Sequence, residues 1–349
     1  MRSRFIRILG QTAALLVLTC VARSTQARLL DVSPDGRQIA YSWAGNLVVS
    51  GIDGAGAQPI SGGEGVQFVL WSPNGRHLAL GASASGKSEL KLYNVADRKT
   101  RGIGGNLRAP FAWREDGNRF ACIHDLANGS HEIVWYNLAE NGVSFRATLP
   151  FAVDASAPMV WLPNTDDLAL VAADHNVYTV EAGEFKKVTT SNDVLGLSLF
   201  SHGKKLIWAR KGPNLKYILL TLYAYDLTAR NVVRLNFPER VVALNPDPRT
   251  APESVDEVLF SPDGSRLLLF VTQAPTGKPR FSALYSVSMD GQQTKSIQRT
   301  MAAGESVDAS WFKNGTGISV MYRKGQGSKL FSTAPDGSGG RVIRADVSL

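Results

Sequence analysis

The sequence predicts an all-β fold, a seven-bladed β-propeller of four-stranded antiparallel blades, and three observations carry that prediction. A strand, a turn of the Ser-Pro-Asp-Gly kind and a second strand recur seven times along the chain. Setting aside 27 residues of N-terminal leader leaves about 322 residues, or about 46 per copy, the size of one blade. No part of what remains has the periodicity of a long amphipathic helix.

The leader comes first. Arg2, Arg4 and Arg7 precede an apolar stretch from Ala13 to Leu18, and Thr25-Gln26-Ala27 supplies small residues for cleavage, so residues 1–27 read as a secretory signal. Gly10, Gln11 and Thr12 break the apolar run well short of the ~20 residues a membrane span requires. Cys20 offers an alternative, lipidation of an outer-membrane lipoprotein, although Val17-Leu18-Thr19 ahead of it lacks the small residue such a site prefers. Without the leader Cys122 is the only cysteine, so no intrachain disulfide can form, and its place on an apolar strand reads as a small buried side chain.

The turns are written in full at Ser33-Pro34-Asp35-Gly36 and Ser261-Pro262-Asp263-Gly264, and nearly so at Ser72-Pro73-Asn74-Gly75. Proline presets φ, Asp or Asn accepts local hydrogen bonds, and Gly takes the left-handed conformation that lets two antiparallel strands join. Weaker copies follow, and aligning all seven on the turn gives Gly36, Gly75, Gly117, Thr165, Gly203, Gly264 and Gly315, spaced by 39, 42, 48, 38, 61 and 51 residues.

Three residues after each position stands Ile39, Leu78, Phe120, Leu168, Leu206, Leu267 or Ile318, an apolar start to every second strand. Four residues before, Trp71, Trp113, Trp161, Phe260 and Trp311 supply a large aromatic; Val32 fills the place in the first copy, and Phe200 stands one residue out of step in the fifth. Four of the seven tryptophans thus share one repeat position, which argues for wedges packed between stacked sheets rather than for a carbohydrate cleft.

A third strand is expected from Asn46, Glu89, Glu132, Asn176, Tyr217, Ala283 and Lys329. Short fourth strands are expected at segments such as AQPIS, FRATL, KKVTT, VVRLN and RVIR. The first copy opens with its innermost strand at Arg28 to Ser33 and the seventh ends with an outer strand at Arg341 to Arg344, so each blade is contiguous chain and the ring closes by face packing, without strand exchange. Six blades is the alternative count, with the degenerate fourth copy absorbed into a neighbour. Residues 28–349 read as one domain.

These repeats resemble the WD40-like propeller repeats of the TolB family, whose signature is close to Pro, any residue, Trp, Ser-Pro-Asp-Gly, two residues and an apolar triplet. Pro110 ahead of Trp113 and Pro158 ahead of Trp161 supply an outlying proline too, one residue further out than in that pattern. The resemblance extends over the whole chain after the leader, but not to the additional N-terminal α/β domain of TolB. It implies a periplasmic or secreted propeller that binds other envelope proteins.

Charge narrows the partners. Of 38 Lys and Arg, four lie in the leader, so 34 basic residues face 30 acidic ones, a balance near +4 with no long run of either sign. Such a surface argues against nucleic acid and suits a monomeric protein contacting another protein.

In an antiparallel blade the Ser-Pro-Asp-Gly turns lie on one face, and the second-to-third loops and interblade connections on the other. Insertions are expected on that second face at Gly81 to Ser88, His124 to Ser130, Lys211 to Lys216, Gln273 to Arg280 and Asn236 to Glu253, the last poised to lie over the channel. Asp256, Glu257 and Asp308 begin the inner strands of blades six and seven, an acidic group suited to a small cation or a basic peptide. Around it stand Arg210, Lys211, Lys216, Arg240, Arg249, Lys278, Arg280, Arg323 and Lys324, a charged rim that suits a protein partner better than an apolar metabolite.

No cofactor, metal or catalytic residue is expected. His124, His131 and His175, with Asp125 and Asp174 as neighbours, fall near the loop face without repeated spacing, which suits turn or surface roles better than metal ligation. Oligogalacturonate lyases use similar repeats around a histidine-rich metal site, but the inner strands here hold no histidine. Prolyl oligopeptidase-type enzymes add a hydrolase domain with a GxSxG elbow, and GASASG at Gly81 is off that pattern. The reading is a non-enzymatic interaction platform, with a metal-dependent polysaccharide lyase or hydrolase as its alternative.

Overall fold

The computed structural model describes residues 28–84, 87–154, 156–200, 204–211, 218–235, 240–241, 252–273, 281–300, 305–324 and 327–346. The leader, with Cys20, lies outside them. Seven antiparallel sheets follow one another along the chain, each in the order inner strand to outer strand. Blade 1 runs through Leu30–Val32, Gln38–Trp43, Asn46–Gly51 and Gln58–Pro59, and blade 7 through Ser306–Trp311, Ile318–Lys324, Gly327–Thr333 and Arg341–Ala345. Every blade is contiguous chain, so no strand is exchanged at closure. Among the described residues there is no helix, and hence none able to cross a membrane.

The repeat arithmetic holds at every blade. The residue four before the turn position pairs with the residue three after it: Val32 with Ile39, Trp71 with Leu78, Trp113 with Phe120, Trp161 with Leu168, Leu199 with Leu206, Phe260 with Leu267 and Trp311 with Ile318. In blade 5 the aromatic place is therefore taken by Leu199, buried beside the large second-strand side chain of Trp208.

The turns explain this constancy. Ser33 Oγ donates to Asp35 Oδ1 at 2.6 Å, Asp35 accepts from the Arg37 amide at 3.0 Å, and the Gln38 amide donates to Ser33 Oγ at 2.9 Å. The same three bonds recur around Ser72-Asn74 and Ser261-Asp263. Blade 4 departs from the alignment: its left-handed residue is Asn164, at φ 57°, and not Thr165. Without a glycine, Thr165 instead caps the turn, its Oγ1 donating to the Leu162 carbonyl at 3.1 Å and accepting from the Asp167 amide at 3.0 Å.

Two further boundaries move. The fourth strand of blade 4 is Glu184–Lys187, earlier than KKVTT, because Ala182 and Gly183, at φ 50° and 88°, form a two-residue primed turn that starts pairing at once. The segments around Gly81 to Ser88 and His124 to Ser130 are largely strand extension: pairing continues to Ala84 with Lys87 and to Asp125 with His131. Of the long connection expected over the channel, Arg240–Val241 instead pairs beside the third strand of blade 5 at Ile218 and Leu219; residues 236–239 and 242–251 lie outside the described set.

Seven apolar clusters sit between consecutive blades, one for each interface among the described residues. The repeat tryptophans are their wedges, Trp71 and Trp161 being 1% exposed and Trp311 3%. Trp113 and Trp311 also donate Nε1 to the preceding blade, at the equivalent carbonyls of Leu70 and Leu259. Cys122 lies in the cluster between blades 2 and 3, where burial pushes its thiol well above the ordinary range.

Candidate functional site at the channel mouth

Inner strands leave one edge of their backbone unpaired toward the channel, to be satisfied by side chains or by water. Asp31 does this within blade 1. Only 2% exposed, it accepts from the Trp71 amide of blade 2 at 2.8 Å and from Ser310 Oγ of blade 7 at 3.2 Å. At the turn-face end of the channel Lys313 of blade 7 donates across to the Trp71 carbonyl at 3.3 Å.

Toward the loop face the inner strands carry a repeated irregularity. Gln67, Leu195 and Asp256 are unpaired bulge residues, each four before the aromatic place of its blade. An extra residue re-aims its neighbours. In blade 6 it turns Asp256 outward, where it accepts from Thr272 Oγ1 at 2.7 Å, and leaves Glu257 partly buried.

Glu257 and Asp308 converge, as expected, but on a residue of the same chain. The Arg28 guanidinium ion-pairs with Glu257, donates to Asp308 Oδ1 at 3.1 Å and to the Ala309 carbonyl at 2.8 Å, and lies 5.2 Å from the centre of the Phe270 ring. The Leu29 amide donates to Asp308 Oδ2 at 3.0 Å, and the Val69 amide of blade 2 donates to the Arg28 carbonyl at 2.6 Å. One residue therefore links blades 1, 2, 6 and 7. Asp256 does not share the Arg28 pocket, because the bulge sends it to the other side of its strand.

The basic rim divides. Arg210 donates Nε to both carboxylate oxygens of Asp193, at 2.8 and 2.9 Å, and lies over the Tyr223 ring; the Asp193 bonds raise its pKa further. Arg323 is half-buried on the second strand of blade 7, next to Lys324, whose Nζ is 4.0 Å from Glu305. Lys211 ends the second strand of blade 5 and Arg240 belongs to the short added strand. Lys216, Arg249, Lys278 and Arg280 lie outside the described residues.

The histidines take local partners. His131 Nδ1 is 2.8 Å from Asp125, whose two oxygens also share the Arg108 Nε–H at 2.8 and 2.9 Å; His124 Nδ1 is 3.3 Å from Glu132. His175 sits in a turn at φ 54°. Nearby, burial alone would raise the Asp174 carboxyl, but hydrogen bonds from Lys187, Asn176 and Tyr178 outweigh it and hold the group at about 2. Among the described residues no three His, Cys, Asp or Glu side chains are placed to hold a metal ion.

Sequence reasoning missed a feature of the other face. A cavity of about 270 Å³ opens between the turns of blades 3 and 4, lined by Arg114, Asp116, Trp161, Leu162, Pro163 and Asn164 among others. Its only signal in the sequence is the aberrant Leu162-Pro163-Asn164 turn.

Fold and mouth together define a propeller of contiguous blades, closed by side chains rather than by an exchanged strand. No family model matches the chain. No curated protein matches it. Among solved structures it is similar to the beta-propeller domain of the Trilobed protease from Pyrococcus furiosus, described as having an open velcro topology, with 15% identity, a TM-score of 0.57, and coverage of 93% of this chain and 97% of that one. An oligogalacturonate lyase in complex with manganese aligns at 13% identity and a TM-score of 0.51, over 94% of this chain and 87% of that one. TolB from Acinetobacter baumannii aligns at 15% identity and a TM-score of 0.43, over 92% of this chain and 64% of that one. At these identities the likeness to the first two is one of fold.

Proposed function

We propose that the protein is a non-enzymatic, monomeric interaction platform of the bacterial envelope, delivered to the periplasm by residues 1–27 and contacting a protein partner through the loop face of blades 5 to 7. The observation that carries this reading is the state of the channel mouth. Two of its acids, Glu257 and Asp308, are engaged by Arg28 of the same chain, which leaves the mouth occupied rather than open to a small substrate. The turn face is a repeated scaffold, whereas the loop face carries the charged, non-repeating residues that give a contact surface its specificity. The intact protein, used as bait on envelope extract, is expected to capture a defined partner that is lost on reversing Asp256 and Arg240 together. Recovery of no envelope partner, or capture indifferent to that reversal, would overturn the assignment.

A second reading, a metal-dependent polysaccharide lyase or hydrolase, draws on the oriented His131–Asp125–Arg108 group near the loop face. Elemental analysis of purified protein separates the two: bound metal that disappears on changing His131 to Ala and Asp125 to Asn supports the enzyme.

A further inference from the structure

The contacts of Arg28 have a chemistry of their own. A carboxylate from blade 6, a carboxylate and a backbone carbonyl from blade 7, and the face of an aromatic ring surround one planar cation. Acceptors in different directions with a ring alongside match the forked donors and flat face of a guanidinium, and fit the compact ammonium of lysine poorly. The Arg28 side chain is 11% exposed, and those of Glu257 and Asp308 are 20% and 17% exposed, so the group is shielded from water without being sealed.

The occupant stands beside a short strand. Only Leu29 separates Arg28 from the inner strand of blade 1, and that strand, Leu30–Val32, is three residues long. Withdrawing the side chain breaks no pairing within any sheet, because its bonds to Glu257, Asp308 and the Ala309 carbonyl are not ladder bonds. Once it is withdrawn, two carboxylates of like charge face each other at the mouth, and a cation is the species they favour.

We infer that the channel mouth is a guanidinium socket, formed by Glu257, Asp308, the Ala309 carbonyl and Phe270, which Arg28 fills as an internal plug and which accepts the arginine side chain of a basic peptide in its place. This does not depend on the platform reading, since the socket can bind arginine whether or not an envelope partner exists.

The test is chemical rescue of Arg28→Ala. Ethylguanidinium at millimolar concentration should raise the melting temperature of the variant by about 2 °C or more as the site fills, with ethylammonium giving much less. A short arginine-containing peptide amide should bind R28A at least tenfold more tightly than the wild-type protein, measured by calorimetry, and Asp308→Asn in the R28A background should abolish both effects. Equal binding to wild type and R28A, equal rescue by the ammonium, or rescue that survives D308N would overturn the proposal. Should R28A fail to fold, Arg28→Lys serves instead. It keeps the charge, and ethylguanidinium should still stabilise it; no stabilisation there would equally refute the socket.

Discussion

The interface between blades 3 and 4 and the seam between blades 7 and 1 join equivalent faces of equivalent sheets, yet they are built differently. At the first, Trp161 packs on Trp135 at 5.4 Å, Trp135 stacks on Phe145 at 4.0 Å, and Met159, Leu149 and Val153 complete an apolar cluster. Its interblade ion pairs, from Arg114 and Arg119 to Asp166, lie on the surface, where Asp166 is 50% exposed. At the seam a smaller apolar cluster is joined by buried or shielded polar ties: Asp31 to Ser310, Arg28 to Asp308, and Arg344 lying 4.6 Å over Trp43 and donating to the Tyr41 hydroxyl. Blades 3 and 4 are held together by the chain itself, so non-directional packing suffices. Blades 7 and 1 have no such link, and directional contacts fix which way their faces meet.

The comparison breaks most visibly if an apolar wedge is removed. Trp161→Ala should cost about 3–5 kcal/mol in denaturant unfolding, since it empties a site 1% exposed and surrounded by large side chains. That loss should be insensitive to salt. A loss below about 1 kcal/mol would mean that the cluster collapses into the space and that packing does not govern the continuous interfaces.

Asp31→Ala probes the seam in the same way. It strands the buried Trp71 amide and cuts the Ser310 tie between blades 7 and 1, for an expected cost of about 1–3 kcal/mol. Its effect should be concentrated at blades 1, 2 and 7, read by hydrogen exchange as faster exchange of inner-strand amides there while blades 3 and 4 stay protected. Uniform loss across the ring would show that the seam is no more dependent on polar ties than the rest.

What was legible in the sequence follows the same division. Turn chemistry is local, so Ser33-Pro34-Asp35-Gly36 and its copies announce themselves, and strand register follows from the turn. The shared tryptophan position is legible because stacked repeats use one place for one purpose. Glu257 and Asp308 could be brought together from topology, but not the residue that meets them: Arg28 is 280 positions from Asp308, and a unique long-range pair leaves no periodic trace. Nor do the bulges at Gln67, Leu195 and Asp256 show, because the extra residue has no consensus identity. Asp31 hides within the first strand as one acid among apolar neighbours, and the cavity beside Leu162 arises from a turn that fails its consensus.

The turn face offers the finest contrast between seam and continuous interface, because two glycines share a conformation and differ in their neighbours. Gly36, at φ 71°, adjoins the seam, and a Cβ there would come no nearer than 3.9 Å to Asn314 of blade 7. Gly117, at φ 68°, adjoins blade 2, and its Cβ would come within 2.5 Å of the Asn74 side chain. Asn74 cannot step aside freely, because it accepts from Ser72 Oγ and the Arg76 amide and donates to the Asp116 carbonyl. Both alanine variants carry the left-handed cost of about 1–2 kcal/mol. Gly117→Ala should lose roughly 1 kcal/mol more, the worth of the Asn74 bonds that must give way. Adding Asn74→Ala should remove that excess in a double-mutant cycle, so an unchanged difference would mean that the turns of neighbouring blades do not support one another.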